Sequence, residues 1–281
     1  HGSAAPFLQA VMDVDGVILH PAWPSRIEGE GAPCQPMAFD VAEQRAILPA
    51  GMNAFPKHLA AGLEVRLQTP VARLSVEGPL FKLHAVGGET FACRDLVLAL
   101  ALEEALELLG TLDSRPELEG LRTLLGLFAS VPSLTLLTAY PRSAPAPDWD
   151  LLYPEDSEVL QLVSQDSRKR EQPRFLTLVL QARPRWSRER LEQPETTWAA
   201  ELLEDAAQRI GGWVRNPLWT SPHRWRFARV DRGNELARPL LTRFQNGPRL
   251  GLAGDVFSPG GGVQAAWLSG SALAHRLLNE A

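Results

Sequence analysis

The fold is decided near the end of the chain, by Leu250-Gly-Leu-Ala-Gly-Asp-Val-Phe257 and the run Gly260-Gly-Gly-Val-Gln-Ala-Ala-Trp-Leu-Ser-Gly270. Leu250 to Ala253 reads as a short apolar strand, Gly254-Asp255 closes it, and three glycines precede a helix expected from about Val263 to Leu278. This order places a carboxylate at the carboxyl end of a strand, beside a helix N-terminus, which is the crevice where open α/β sheets bind cofactors. Three glycines let backbone approach a ligand without side-chain clash. The first free N–H groups of the helix, at the positive end of its dipole, favour a negatively polarised group. Asp255 would accept hydrogen bonds from sugar hydroxyls; the plainer alternative is a glycine-rich connection in which Asp255 caps the helix. Val263, Ala266, Trp267, Gly270, Ala274 and Leu277 are expected to share the packed face, with Gly270 permitting close approach of backbones.

Working backwards, the pattern splits in two. Asp95 to Leu100 is a continuous apolar run, expected as a parallel strand buried on both faces, and Leu102, Ala105, Leu106 and Leu109 form the stripe of a following helix stopped by Gly110. Before it, Val71 to Val76, Leu80 to Val86 and Thr90 to Cys93 read as an antiparallel meander, with a further short strand at Val65 to Leu67. Asn53 to Ala61 reads as a short helix capped by Gly62, and residues 1–48 as irregular or edge structure. The middle differs: Ser133 to Tyr140, Val159 to Ser164 and Phe175 to Gln181 look like strands of an antiparallel sheet. A helix from about Pro194 to Ile210 follows, with Trp198, Leu202, Ala206 and Ile210 four apart.

Composition narrows the function classes. The 281 residues suit one large domain or two interleaved ones, and 45% hydrophobic with 22% charged residues excludes disordered and fibrous classes. A net charge of -5 leaves no broad basic footprint for nucleic acid. The uncharged stretch Thr123 to Tyr140 contains Gly126, Pro132 and several hydroxyl residues, and reads as a helix end followed by a strand rather than a membrane span. Cys34 and Cys93 are too few for a disulfide framework and lack zinc spacing, so they are expected as inert thiols in a reducing, cytoplasmic compartment. The six histidines are dispersed, which predicts no metal site, and no G-x-S-x-G elbow is present. Arg168-Lys169-Arg170 reads as a solvated turn rather than a phosphate clamp, because Glu171 follows and no glycine loop is near.

The wording of the closing segment resembles the C-terminal flavin motif of the FAD-dependent amine oxidase superfamily. His223-Arg-Trp-Arg-Phe-Ala228, Pro49-Ala-Gly-Met-Asn-Ala-Phe-Pro56 and Leu67-Gln-Thr-Pro-Val-Ala-Arg-Leu74 are similar to segments of its renalase-like NAD(P)/FAD-dependent branch. The resemblance implies an α/β fold of the FAD/NAD(P)-binding Rossmann-like type, N-terminally incomplete, with an inserted antiparallel-sheet α+β substrate domain. Its FAD-binding region would comprise 1–110 and 220–281, and its substrate domain 111–219. By the same resemblance Gly254 and Asp255 would meet the ribityl and pyrophosphate part of FAD. Gly261, Gly262, Val263 and Gln264 would set the helix N-terminus against the flavin pyrimidine edge, Val71 would meet the adenine, and Trp225 and Arg226 would border the substrate pocket. For the last two the plainer readings are a core aromatic and a surface ion pair.

The implied activity is hydride transfer from a small amine or a reduced nicotinamide to FAD, with reoxidation by oxygen; no residue is nominated as catalytic. The chain departs from the family in lacking an N-terminal βαβ unit with G-x-G-x-x-G. The near match Gly29-Glu-Gly-Ala-Pro-Cys34 lacks the third small residue and runs into prolines. His1-Gly2 resembles the pair that follows that unit, although Ser3-Ala4-Ala5-Pro6 departs from the family run. The expectation is a fragment of a longer enzyme, a chain completed by a second polypeptide, or a degenerate relative that no longer binds flavin and serves as a binding or interaction protein.

Overall fold

A computed structural model describes residues 5–19, 23–29, 45–231, 233–245 and 247–280. In chain order these begin with α1 (Ala5–Met12), β1 (Ile18–Leu19), β2 (Ile27–Glu28), β3 (Ala46–Ile47), α2 (Ala54–Leu59), β4 (Val71–Glu77), β5 (Leu80–Ala85), β6 (Thr90–Cys93) and β7 (Asp95–Leu98). Then come α3 (Leu102–Gly110), α4 (Pro116–Leu125), β8 (Ser130–Tyr140), β9 (Leu151–Leu152), β10 (Leu160–Ser164), β11 (Leu176–Ala182), α5 (Pro184–Arg190) and α6 (Glu195–Ile210). The last elements are β12 (Trp219–Val230), β13 (Leu240–Arg243), β14 (Arg249–Leu252) and α7 (Gly262–Asn279). The readings placed on His1 to Ala4, His20 and Glu30 to Cys34 lie outside the described residues.

Two compact units share the chain: His1–Leu59 with Val131–Ala228, and Ala60–Ser130 with Arg229–Ala281. They change over at 59/60, 130/131 and 228/229, where the sequence reading by role changes at 110/111 and 219/220.

In the first unit the strands run in the order β12-β8-β11-β10-β9-β2. The β8–β11, β11–β10 and β10–β9 pairs are antiparallel, and β2 joins β9 in parallel. β11 alternates buried and half-buried residues along its length, so Leu176, Leu178, Leu180 and Ala182 share one face. That face meets the α6 stripe of Trp198, Leu202 and Ala206, four residues apart, in one core with Leu134 and Leu136. Tyr140 closes this core by donating its hydroxyl to the Val214 carbonyl at 2.9 Å. The Arg168-Lys169-Arg170 run is a turn tied to carboxylates: Arg168 to buried Asp150 at 2.6 Å, and Lys169 and Arg170 each to Asp166 at 2.7 Å.

In the second unit the β4-β5-β6 meander has the expected form, and a three-stranded sheet runs β13-β14-β7. β14 and β7 are parallel, Leu250 opposite Leu96 and Leu252 opposite Leu98, and β13 is antiparallel to β14. Leu96, Leu98, Leu250 and Leu252 pack with Leu102, Ala105 and Leu109 of α3 in one core. No helix among the described residues is long and apolar enough to cross a membrane, and none of their His, Cys, Asp and Glu side chains form a metal-holding group.

Four sequence expectations are corrected. β7 is buried on one face only, with Val97 44% exposed, because the Leu96/Leu98 side packs on α3 and no described element covers the other side. Residues 64–67 form no strand, since no described strand pairs with them, and Leu63, Val65 and Leu67 stand exposed. Within 1–48, α1 is a helix anchored by Phe7 edge-on to Phe55 of α2. The packed face of α7 is Ala265, Ser269 and Leu273, and Val263 is exposed.

Candidate functional site

The closing strand, loop and helix form as the sequence dictates. After β14 the chain turns through Gly254 (φ 152°) into a 3-10 turn at Asp255–Phe257, then through Gly260, Gly261 and Gly262 at φ 90°, 62° and 73°. Those three consecutive left-handed residues are the reason for the triplet, since an L side chain there would be strained. A Cβ at Gly260 or Gly262 would meet nothing within 4 Å, and one at Gly261 only the Glu235 carboxylate oxygen at 3.7 Å. Backbone is therefore bare across the start of α7.

Two contacts fix this turn relative to the sheet. Gly251 in β14 is the close-packing glycine: a Cβ there would sit 2.7 Å from Leu273 Cδ2 of α7, whereas one at Gly270 would meet nothing within 4 Å. Gly251 rather than Gly270 thus permits the approach of strand and helix. Ser269, fully buried in α7, accepts from the Gly254 amide at 3.0 Å and donates to the Gly254 carbonyl at 2.7 Å. Neither Gly251 nor Ser269 was singled out for this role from sequence, because only the packed geometry brings them together. The sequence does carry one signal for this turn: Gly260, Gly262 and buried Ala265 have the G-x-G-x-x-A spacing of a dinucleotide turn, although β14 ends at Leu252 rather than directly before it.

The electrostatics favour an anionic or electron-accepting group. No side chain caps α7 at Gly261, the first turn carries no acidic residue, and the helix is 18 residues long, so its positive end is uncompensated from within. The Asp255 carboxylate is half-exposed and makes no hydrogen bond or ion pair with the described residues; it does not cap an amide. Glu235, which accepts from the Gly233 amide at 2.9 Å, is the carboxylate standing beside the triplet. A flavin dinucleotide would ask of this segment bare backbone amides, a carboxylate free to accept from hydroxyls, and no intervening side chain; the residues present fit those needs.

Val71 lies in the same unit, half-buried at the start of β4 opposite Ala85, packed against the core that holds β7 and β14. Trp225 and Arg226 lie in the first unit, on β12. Trp225 is 54% exposed and stacks on His223 at 6.1 Å between centroids, so it is no core aromatic. Arg226 reaches Glu192 with both Nη atoms, and this contact holds the Glu192 carboxyl below its usual range. Cys93 is free and half-buried; burial, with Asp95 nearby, pushes its thiol up, as an inert cysteine requires.

Solved structures share this fold. A protein assigned as a protoporphyrinogen oxidase of Exiguobacterium sp. 255-15 superposes with a TM-score of 0.66 at 15% identity, over 87% of this chain and 54% of that one. Putrescine oxidase bound to putrescine gives 0.60 at 17%, over 84% and 54%. Cyclohexylamine oxidase of Brevibacterium oxydans IH-35A gives 0.57 at 17%, over 81% and 53%. The chain thus spans about half the length of the structures it resembles. No curated protein matches it in sequence. The α/β architecture is shared with these oxidases, and the family model described as flavin containing amine oxidoreductase matches residues 5–278. The chain belongs to the flavin containing amine oxidoreductase family.

Proposed function

We propose that this chain forms part of an FAD-dependent oxidoreductase of the amine-oxidase, renalase-like type. The chemistry that FAD supplies when bound is two-electron oxidation of a small amine or a reduced nicotinamide by hydride acceptance, with oxygen as the final acceptor. The FAD-binding role is assigned to 1–110 and 220–281, and the substrate role to 111–219. Gly254 and Asp255 bind the ribityl and pyrophosphate portion, Asp255 as an acceptor for hydroxyl protons. The amides of Gly261, Gly262, Val263 and Gln264 face the pyrimidine edge, where a positive helix end stabilises the charge that develops on reduction. Val71 receives the adenine through its backbone, and Trp225 and Arg226 border the substrate and keep water from it. In this reading Gly254 and Asp255 meet only part of the pyrophosphate, and a second chain carrying a G-x-G-x-x-G turn is a partner that would hold the rest. The remaining partner is a small molecule, in the cytoplasm, without nucleic acid or membrane.

The observation that carries this reading is the left-handed glycine triplet opening α7 beside the unpaired Asp255, in a chain matched by the family model almost throughout. It is tested by titrating FAD into the purified chain, reading flavin fluorescence and melting temperature, with Asp255→Asn alongside. Bound FAD should raise the melting temperature. Asp255→Asn should leave stability within about 0.5 kcal/mol, since the carboxylate has no partner to lose, and weaken FAD roughly tenfold. A protein that FAD neither binds nor stabilises even when a G-x-G-x-x-G unit is supplied in trans favours the non-catalytic alternative.

A further inference from the structure

The first unit holds a cavity of about 330 Å³ whose wall contains none of the site residues named above, lined by Leu137, Thr177 and Val179 of the sheet together with Arg174, Phe175 and Trp219. Its size is at the small end of ligand sites, which combine an apolar lining with a few placed polar groups. Trp219 is 53% exposed and Phe175 is exposed, so two aromatic rings are left without full cover. Arg174 lies 5.1 Å over the Phe175 ring and makes no ion pair or hydrogen bond with the described residues. The other charges on the wall are balanced: Asp166 is met by both Lys169 and Arg170. Arg174 is therefore the uncompensated cation of the cavity. Thr177 Oγ1 is sheltered from solvent and has no hydrogen-bond partner, whereas folded proteins pair nearly all such groups.

We propose that this cavity binds a small aromatic carboxylate, its ring against Phe175 and Trp219 and its carboxylate on the planar fork of Arg174. The Thr177 hydroxyl supplies a further polar contact at the wall. Every lining residue lies in the segment given the substrate role and none in the FAD-binding segments, so the proposal does not rest on FAD being bound.

Isothermal titration of the full chain with indole-3-acetate, and with indole-3-acetamide as the uncharged control, tests it. The acid should bind at least roughly tenfold more tightly than the amide, the loss of one charge-assisted pair. Arg174→Glu should erase that preference and Trp219→Ala should weaken both compounds, while Arg185→Glu, an exposed charge change off the cavity wall, should alter neither. Far-UV dichroism and thermal melts of the variants confirm folding, and both substituted side chains are exposed enough to be replaced. Equal binding of acid and amide, an unchanged affinity in Arg174→Glu, or no binding of either compound overturns the assignment. FAD content, read separately by flavin fluorescence, should be the same in wild type and Arg174→Glu.

Discussion

Replacing Gly251 by Ala examines directly how β14 and α7 are held together. The added Cβ would lie 2.7, 3.1 and 3.3 Å from Leu273 Cδ2, Cδ1 and Cγ, and Leu273 is buried in the same layer. Overpacking of this kind costs about 1–3 kcal/mol. Glycine removal also restricts the unfolded chain, a gain of about 0.4–1 kcal/mol, so the net destabilisation should be about 0.5–2 kcal/mol. Leu273→Ala alone leaves a cavity and should cost about 2–5 kcal/mol. In the double variant the new methyl occupies space that the leucine vacated, so the two effects should sum to about 1–2 kcal/mol more than the double variant loses. Urea denaturation of the four proteins at one pH measures all three quantities. Strict additivity, or a Gly251→Ala variant as stable as wild type, would refute the inferred packing and with it the reason for a glycine in the strand.

Ser269→Ala removes both bonds to Gly254 and strands its amide, so unfolding free energy should fall by about 1–3 kcal/mol in the same assay. Asp150 supplies a pH test. Burial pushes its carboxyl up, but the Ser25 and Arg26 amides, the Ser25 hydroxyl and Arg168 outweigh burial and hold it below the ordinary aspartate range. Its contribution is therefore full above about pH 4 and lost as pH falls through the lower folded value. Asp150→Asn should flatten the acid limb of stability against pH and cost about 1–3 kcal/mol at neutral pH; an unchanged acid limb would contradict the role given to Asp150. Glu192→Gln breaks an exposed, solvent-screened ion pair with Arg226 and should leave the melting temperature essentially unchanged in both low and high salt; a marked, salt-dependent drop would contradict this.

The sequence by itself determined the elements whose cause is local. The two-residue period of Val71 to Cys93 gave the meander, the four-residue period of Trp198, Leu202 and Ala206 gave α6, and Gly260 to Gly262 marked a turn that only glycine forms readily. The closing strand, loop and helix were legible for the same reason, and so was the wording that resembles a flavin motif. Tertiary structure decided what depends on neighbours distant in sequence. The apolar run Leu96 to Leu98 is equally consistent with one or two covered faces until the layers assemble; α3 covers the Leu96/Leu98 side, and Val97 on the other stands exposed. α7 carries apolar residues around much of its surface, so its period alone could not choose between Val263 and Ala265; contact with Gly251 and Gly254 of the strand side chose Ala265, Ser269 and Leu273. The exposure of Trp225 and the pairing of Arg226 with Glu192 were likewise set by where β12 runs in its sheet. Backbone preferences act over a few residues, whereas burial is a property of the assembled layers, and no reading of neighbouring letters supplies it.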